Sequence, residues 1–289
     1  MADQTAWLAL VVGNSRLHWG AFSGGEWLGG WHTPHLTPPQ VQALMAAKFA
    51  DWAWADLGTH LATDAVAGSG IAPQQDSMTN GPRFGEIPLP STPAPMELWL
   101  ASVVQSQGDL WRAYAHSHMV TLNHIPLGQT YATLGADRAL ALVGAGDVYG
   151  WPVLVVDGGT ALTLTAGEQG RLVGGAILPG VRSQFRALHD YTDGLPLLSY
   201  DLANLPPRWA TTTAEAMVSG ILYSQLAGLR DFIADWRQRY GQGQVVFTGG
   251  DGPALAAALL TQTPTWVDVV QVDANLVFWG LRVNRWGRG

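Results

Sequence analysis

Two stretches of the chain share one pattern of apolar and polar positions. Residues 11–30 read VVGNSRLHWGAFSGGEWLGG, and residues 155–180 read VVDGGTALTLTAGEQGRLVGGAILPG. In each, an apolar run meets a turn of glycine and polar residues. An alternating run follows, then a glycine-centred turn, then a third extended run. Period-two alternation marks half-buried strands and glycine-rich junctions mark hairpins, so each stretch predicts a β-meander. Sliding the chain by 146 (159 − 13) lays Gly13 on Gly159, Gly24 on Gly170 and Gly29 on Gly175. That points to a duplication; two unrelated hairpins in a glycine-rich chain are the plainer alternative.

The remaining pattern is mixed. VQALMAAKFADWAWADLGTHLAT (41–63) is helical by composition, and ELWLASVVQ (97–105) contains a short buried strand. Residues 66–96 are rich in Pro, Gly and Ser and predict loop. ADRALALVGAGDVYG (136–150) predicts a helix ending at glycine. A long helix is predicted over 212–241, with apolar positions 217, 221, 222, 226, 229, 232 and 233. QVVFTGGDG (244–252) reads as a strand running into a glycine turn, and DGPALAAALL (251–260) as a helix capped by Asp251. DANLVFWGLRVNRW (273–286) closes the chain as a helix. Each half is thus a meander followed by helix, strand and helix, divided as 1–128 and 129–289.

At 289 residues the chain exceeds the size at which one core usually splits, which agrees with two domains. A net charge of −7 argues against a nucleic-acid or anionic-membrane surface. No apolar run reaches the length of a membrane span, and the N-terminus lacks the basic region of a signal peptide. A cytoplasmic location follows as the default. The absence of cysteine excludes disulfides and thiolate chemistry. The single lysine, Lys48, follows no glycine loop, so a Walker A phosphate loop is excluded. Any nucleotide phosphate must be held by another device.

The glycine turns are candidates for that device. In Asp157-Gly158-Gly159-Thr160, glycines let backbone amides approach phosphate oxygens and Thr160 adds a hydroxyl. Asp157 would repel phosphate and more naturally holds a cation; a plain β-turn is the bland reading. Gly13-Asn14-Ser15 is its partner in the first copy. In Gly135-Ala136-Asp137-Arg138, Asp137 stands at the start of a helix, where the macrodipole alone favours an acid. It could instead be a general base, with Arg138 orienting an anionic substrate. GGAILPG (174–180) could bring backbone near a ligand or form a sheet edge, and the TGG at 248–250 ends a strand, where open α/β sheets bind ligands. His116 and His118 lack a third ligand and read as surface residues. The fourteen tryptophans read mostly as core or interface.

With VVDGGTALTLT, GADR, GGAILPG and TGG in this order, the chain resembles the type III pantothenate kinases, of the acetate and sugar kinase, heat-shock protein 70 and actin superfamily. The resemblance spans essentially the whole chain. It implies an α/β fold of two duplicated actin-like, ribonuclease H-like domains, each a mixed sheet flanked by helices, with the active site in the cleft between them. The implied reaction is phosphorylation of pantothenate by ATP, the first step of coenzyme A synthesis. By the same resemblance Asp137 is the proton acceptor and Asp157 binds a monovalent cation, potassium or ammonium. Thr160 touches ATP, and the hairpin Val11, Val12, Gly13, Asn14, Ser15, Arg16, Leu17 and His18 holds its phosphates with Mg2+. Pantothenate is contacted by Tyr131, by Gly135, Ala136, Asp137 and Arg138, and by Thr213. A homodimer is implied, with the pantothenate pocket near the subunit interface.

Three departures stand out. The family's first motif, D-x-G-N-T, is here Val11-Val12-Gly13-Asn14-Ser15, so its aspartate is a valine. The acid that often follows D-x-G-T-A-x-T-x is Thr165. Tyr131 stands closer to GADR than the family's tyrosine. Two rivals remain: a kinase for another small hydroxylated metabolite, and a non-catalytic member that kept the fold.

Overall fold

The computed structural model describes residues 5–49 and 95–287. Most of the helix expected at 41–63 and nearly all of the loop expected at 66–96 lie outside these residues. Contacts gather into two units. One is drawn from Met1–Pro126, Ala132–Leu140 and Val277–Gly289, the other from Leu127–Tyr131 and Ala141–Leu276. Division at 128/129 follows chain order alone, whereas the contacts assign the last helix to the first unit.

The first unit is built on strands β1 (Ala6–Val12), β2 (Leu17–Ser23), β3 (Glu26–Thr33), β4 (Glu97–Ser102) and β5 (Ser117–Met119), in the spatial order β3-β2-β1-β4-β5. The first three form the expected antiparallel meander, and β4 and β5 run parallel to β1. The second unit has β6 (Val153–Gly158), β7 (Ala161–Glu168), β8 (Arg171–Pro179), β9 (Gln244–Thr248) and β10 (Val270–Val272), ordered β10-β9-β6-β7-β8. Read from its meander edge this is the same order, with the same directions. The repeat is therefore one of topology. Neither β5 nor β10 was expected; three residues are too few for periodicity to register.

Pairing refines the offset between the copies. Val11 lies opposite His18 and Asp157 opposite Thr163, so the first strands correspond at 146 (157 − 11) and the second at 145 (163 − 18). The first hairpin loop is one residue longer. The bulge between Ala21 and Phe22 recurs between Ala166 and Gly167, again at 145 (166 − 21).

The helices are α1 (Pro38–Ala46), α2 (Gln105–Asp109), α3 (Ala136–Tyr149), α4 (Val181–Asp190), α5 (Thr213–Arg239), α6 (Gly252–Gln262) and α7 (Leu276–Trp286). α1 stops because Lys48 and Phe49 turn left-handed, with φ of 52° and 60°. The reward is burial of the Phe49 ring against Trp111 and Tyr114. Burying a phenylalanine gives about 1.5–3 kcal/mol, which offsets most of the roughly 2–4 kcal/mol that two left-handed residues cost. α5 buries Met217, Ile221, Leu222, Leu226, Leu229, Ile233 and Trp236. Phe232, expected inside, is 43% exposed, because the stripe continues through 229, 233 and 236 and leaves position 232 beside it.

Both faces of the first sheet are aromatic. Trp19, Phe49, Trp111 and Tyr114 cluster on one. On the other, Trp7 stacks on Phe22, and Trp27 meets Phe278 and Trp279 of α7. That is why α7 belongs to the first unit; Trp7, Trp19, Trp99 and Trp111 are buried there, in keeping with core tryptophans. Trp209, at 88% exposed, departs from that rule. The second sheet buries Leu154, Val156, Leu162 and Leu164 under α4, α5 and α6.

Candidate active site

In the first unit, residues 13–16 link β1 to β2. Gly13 N–H donates to the Arg16 carbonyl at 3.0 Å, and the Gly13 carbonyl accepts from His35 Nε2 at 2.8 Å. Asn14, Ser15 and Arg16 are exposed, as a phosphate-facing turn requires. Val12 and Leu17 are fully buried in the core, so their side chains contact no ligand and only their backbone could. Val11 is half-buried on the opposite sheet face, paired with His18 on one side and Ala101 on the other. His18 in turn meets His32 edge-on, ring centroids 4.6 Å apart.

Asp137 is the second residue of α3 and half-buried. Its Oδ1 accepts from the Arg138 amide at 2.9 Å. Among the described residues no hydrogen bond is made to Oδ2, which remains able to take a proton. The turn is held from behind: a Cβ on Gly280 of α7 would run into the Leu140 carbonyl, so glycine lets α7 lie directly against the first turns of α3. Arg138 is buried at 9% exposure, so its guanidinium is not presented openly to a substrate.

In the second unit three glycine turns pack together. Asp157 is half-buried near the end of β6, between Thr163 of β7 and Thr248 of β9. The Gly158 carbonyl accepts from the Asp251 amide at 2.9 Å, and the Thr160 carbonyl from the Gly180 amide at 3.0 Å and Ser183 Oγ at 2.6 Å. Gly249 has φ of 79°, and a Cβ there would lie 2.7 Å from the Gly158 carbonyl and against Asp157 Oδ1. Only glycine permits that approach. Thr160 itself is exposed. Asp251 stands at the N-cap of α6, but its carboxylate makes no capping bond. It accepts instead from the Tyr200 hydroxyl, at 2.8 and 3.0 Å, and the Tyr200 ring stacks on Phe185. The expected cap is thus overridden by a tertiary hydrogen bond.

Thr213 is exposed at the first position of α5, whose N-cap is Thr212, accepting from the Glu215 amide. Tyr131 is 45% exposed. His118 stacks on Trp99, and no group of three metal-ligating side chains occurs among the described residues. A groove of about 400 Å³, mostly apolar, lies between the end of β8, α4 and α5, lined by Pro179, Gln184, Ala187, Met217, Gly220 and Ile221 among others. The clasps by His35, by Gly180 with Ser183, and by Tyr200 were missed from sequence. Only the PG dipeptide at 179–180 hinted at one of them.

The family model for type III pantothenate kinases matches residues 91–235. A type III pantothenate kinase of Nostoc sp. is 41% identical over 281 residues, 96% of this chain and 94% of that one. That of Gloeobacter violaceus is 36% identical, over 96% of this chain and 97% of its own. Among solved structures, a Campylobacter jejuni chain described provisionally as a Baf family transcriptional activator superposes with a TM-score of 0.56 at 16% identity, over 98% of this chain and 100% of that one. A Sinorhizobium meliloti chain described provisionally as a 2-dehydro-3-deoxygalactonokinase gives 0.52 at 14% identity, over 97% and 96%. These two support the fold.

Proposed function

The chain belongs to the type III pantothenate kinase family, and on that premise we propose how its residues serve the phosphorylation of pantothenate by ATP. The observation that carries the assignment of roles is the register equivalence of the two sheets: each ends its first strand in a glycine turn at the same place. Such turns offer backbone amides to phosphate oxygens. That suits a chain with one lysine.

The 13–16 turn and the 157–160 turn, with Thr160, take the phosphates. Asp137 receives the proton of the pantothenate primary hydroxyl as that oxygen attacks the γ-phosphorus and ADP leaves. Its free Oδ2 supports this role, as does a helix N-terminus that fixes the carboxylate. Gly135, Ala136, Arg138, Tyr131 and Thr213 are assigned to pantothenate; burial of Arg138 makes it a support of that turn rather than an open clamp. Transfer of this kind is accelerated mainly by positioning and electrostatics.

Among the described residues no cluster of acids or histidines could cage magnesium. That fits an ion carried by the nucleotide, where magnesium supplies charge neutralisation of the phosphates. Asp157, a carboxylate paired across the sheet with a threonine on either side, suits a hard monovalent cation, potassium or ammonium. Among the described residues no helix is long and apolar enough to cross a membrane, and we assign the chain to the cytoplasm. For the homodimer, the groove beside β8 and α5 and the 64% exposed Ile177 are the face we favour.

The non-catalytic reading has one observation in its favour, the valine at position 11. Steady-state phosphorylation of pantothenate by the chain and by Asp137→Asn separates the two. A folded Asp137→Asn variant should lose about 10²- to 10⁴-fold in kcat, the usual contribution of a general base. Near-normal turnover in that variant would remove Asp137 from the mechanism, and an inactive parent would favour the non-catalytic reading.

A further inference from the structure

We infer that His35 is a positioning residue for the nucleotide, clasping the first phosphate turn through the Gly13 carbonyl. The inference rests on the proposal that this turn holds ATP phosphates.

The bond is 2.8 Å from His35 Nε2 to Gly13 O. A carbonyl only accepts, so Nε2 must carry the proton, which fixes the imidazole tautomer. The Gly13 amide is already turned inward to the Arg16 carbonyl at 3.0 Å. Both polar groups of Gly13 are therefore committed, and the amides of the exposed residues 14–16 are held in one arrangement. His35 is itself well anchored. Two residues before it, Thr33 is 5% exposed and accepts from Trp19 Nε1 at 3.1 Å. One residue after it, Leu36 is 2% exposed in the core, and its carbonyl accepts from Gln107 Nε2. A backbone anchored on both sides of His35 leaves only its side-chain rotation to be fixed in holding the turn.

The second unit repeats the device by other means. The third strands correspond at an offset of 145, which places position 180 opposite position 35 (180 − 35). Gly180 donates its backbone amide to the Thr160 carbonyl of the second turn at 3.0 Å. In both copies the residue just past the third strand fastens the turn after the first strand. One copy uses a backbone amide, the other an imidazole. His35 is thus the side-chain counterpart of an internal clasp, and its chemistry is replaceable by any neutral N–H donor of similar reach.

The test is steady-state kinetics of His35→Leu and His35→Gln with ATP and pantothenate varied separately. Loss of one hydrogen bond and a stranded carbonyl should raise the KM for ATP about 5- to 30-fold in His35→Leu. The KM for pantothenate should stay within about twofold, a split that general destabilisation would not produce. Glutamine, whose amide nitrogen reaches about as far as Nε2, should restore the ATP value to within about threefold. If the leucine variant does not fold, His35→Asn, whose amide stops short of Gly13, replaces it with the same expectation. An unchanged KM for ATP, an equal rise in both KM values, or a glutamine variant as impaired as leucine would each overturn the inference. Ser15→Asp, a carboxylate on the exposed turn, is the control for the premise. If it raises the KM for ATP while His35→Leu does not, only the clasp is wrong. If neither changes it, the turn does not hold the phosphates and the proposed function of the hairpin fails first.

Discussion

Replacing Gly280 by alanine should damage catalysis more than stability. An ideal Cβ at this position lies 2.6 Å from the Leu140 carbonyl carbon and 2.8 Å from its Cα, and overlaps its oxygen. These are backbone atoms of α3 that cannot rotate away. Ordinary carbon contacts begin near 3.5 Å, so α7 and the start of α3 must separate by about 0.7–1 Å. Overpacking of this size costs about 1–3 kcal/mol, and alanine returns about 1 kcal/mol of helix propensity over glycine. The net loss of about 0–2 kcal/mol lowers the melting temperature by a few degrees. Asp137 lies three residues before Leu140, under one turn away, so the displacement passes to its carboxylate almost undiminished. A misplacement near 1 Å can cost about 10²-fold, and kcat should fall about 10- to 100-fold. The assay pairs kcat for pantothenate phosphorylation with thermal melting. Gly228→Ala on α5 is the control, since its Cβ meets nothing within 4 Å and should leave melting unchanged or slightly raised. A Gly280→Ala protein with kcat within twofold of the parent would refute the coupling of α7 to the Asp137 turn.

Three further outcomes are expected. Turnover should depend on potassium or ammonium and be weak in sodium, and Asp157→Ala should lose both most of the activity and the dependence; equal rates in potassium, sodium and a large organic cation would end the cation role. Val11→Asp should shift the magnesium requirement only modestly, because on the proposed reading the ion travels with the nucleotide, and the new carboxylate would face the His18 imidazole across the strand pair; an inactive parent rescued by this change would mark a decayed kinase. Glu97→Gln should lower stability near neutral pH by about 1–2 kcal/mol, a hydrogen-bonded ion pair discounted for a side chain about one-third exposed. Burial raises the Glu97 pKa, but the hydrogen bonds from Trp99 and Arg285 and the charges of Arg285 and His118 outweigh it, and the net value is lowered. A lowered carboxylate pKa stabilises the fold above the unfolded value near 4.5 and ceases to do so as pH falls through the folded value. Urea midpoints of parent and variant should therefore converge on acidification below that window; a gap that persists unchanged into acid would contradict the assignment.

The parts legible in the sequence were those whose signal is local. Period-two alternation marked both meanders, and glycine doublets marked the turns that later proved to need close backbone approach. Tertiary competition hid the rest. The Asp251 carboxylate left its cap for Tyr200, 51 residues away in sequence, and His35 reached Gly13 across 22. No pattern within a window of ten or fifteen residues encodes either bond. The repeat offset shows the limit most clearly. The turn and third-strand glycines come as neighbours, Gly24-Gly25 and Gly29-Gly30 in one copy, with Gly174-Gly175 in the other. Sliding by 145 or by 146 therefore finds a glycine partner equally well. Backbone conformation breaks the tie, because Gly29 and Gly174 share φ near 155°, and Gly24 and Gln169 are both left-handed. The extra residue consequently belongs to the first hairpin loop, the loop whose carbonyl needs an imidazole from position 35 where the shorter loop of the second copy is reached by a backbone amide from position 180.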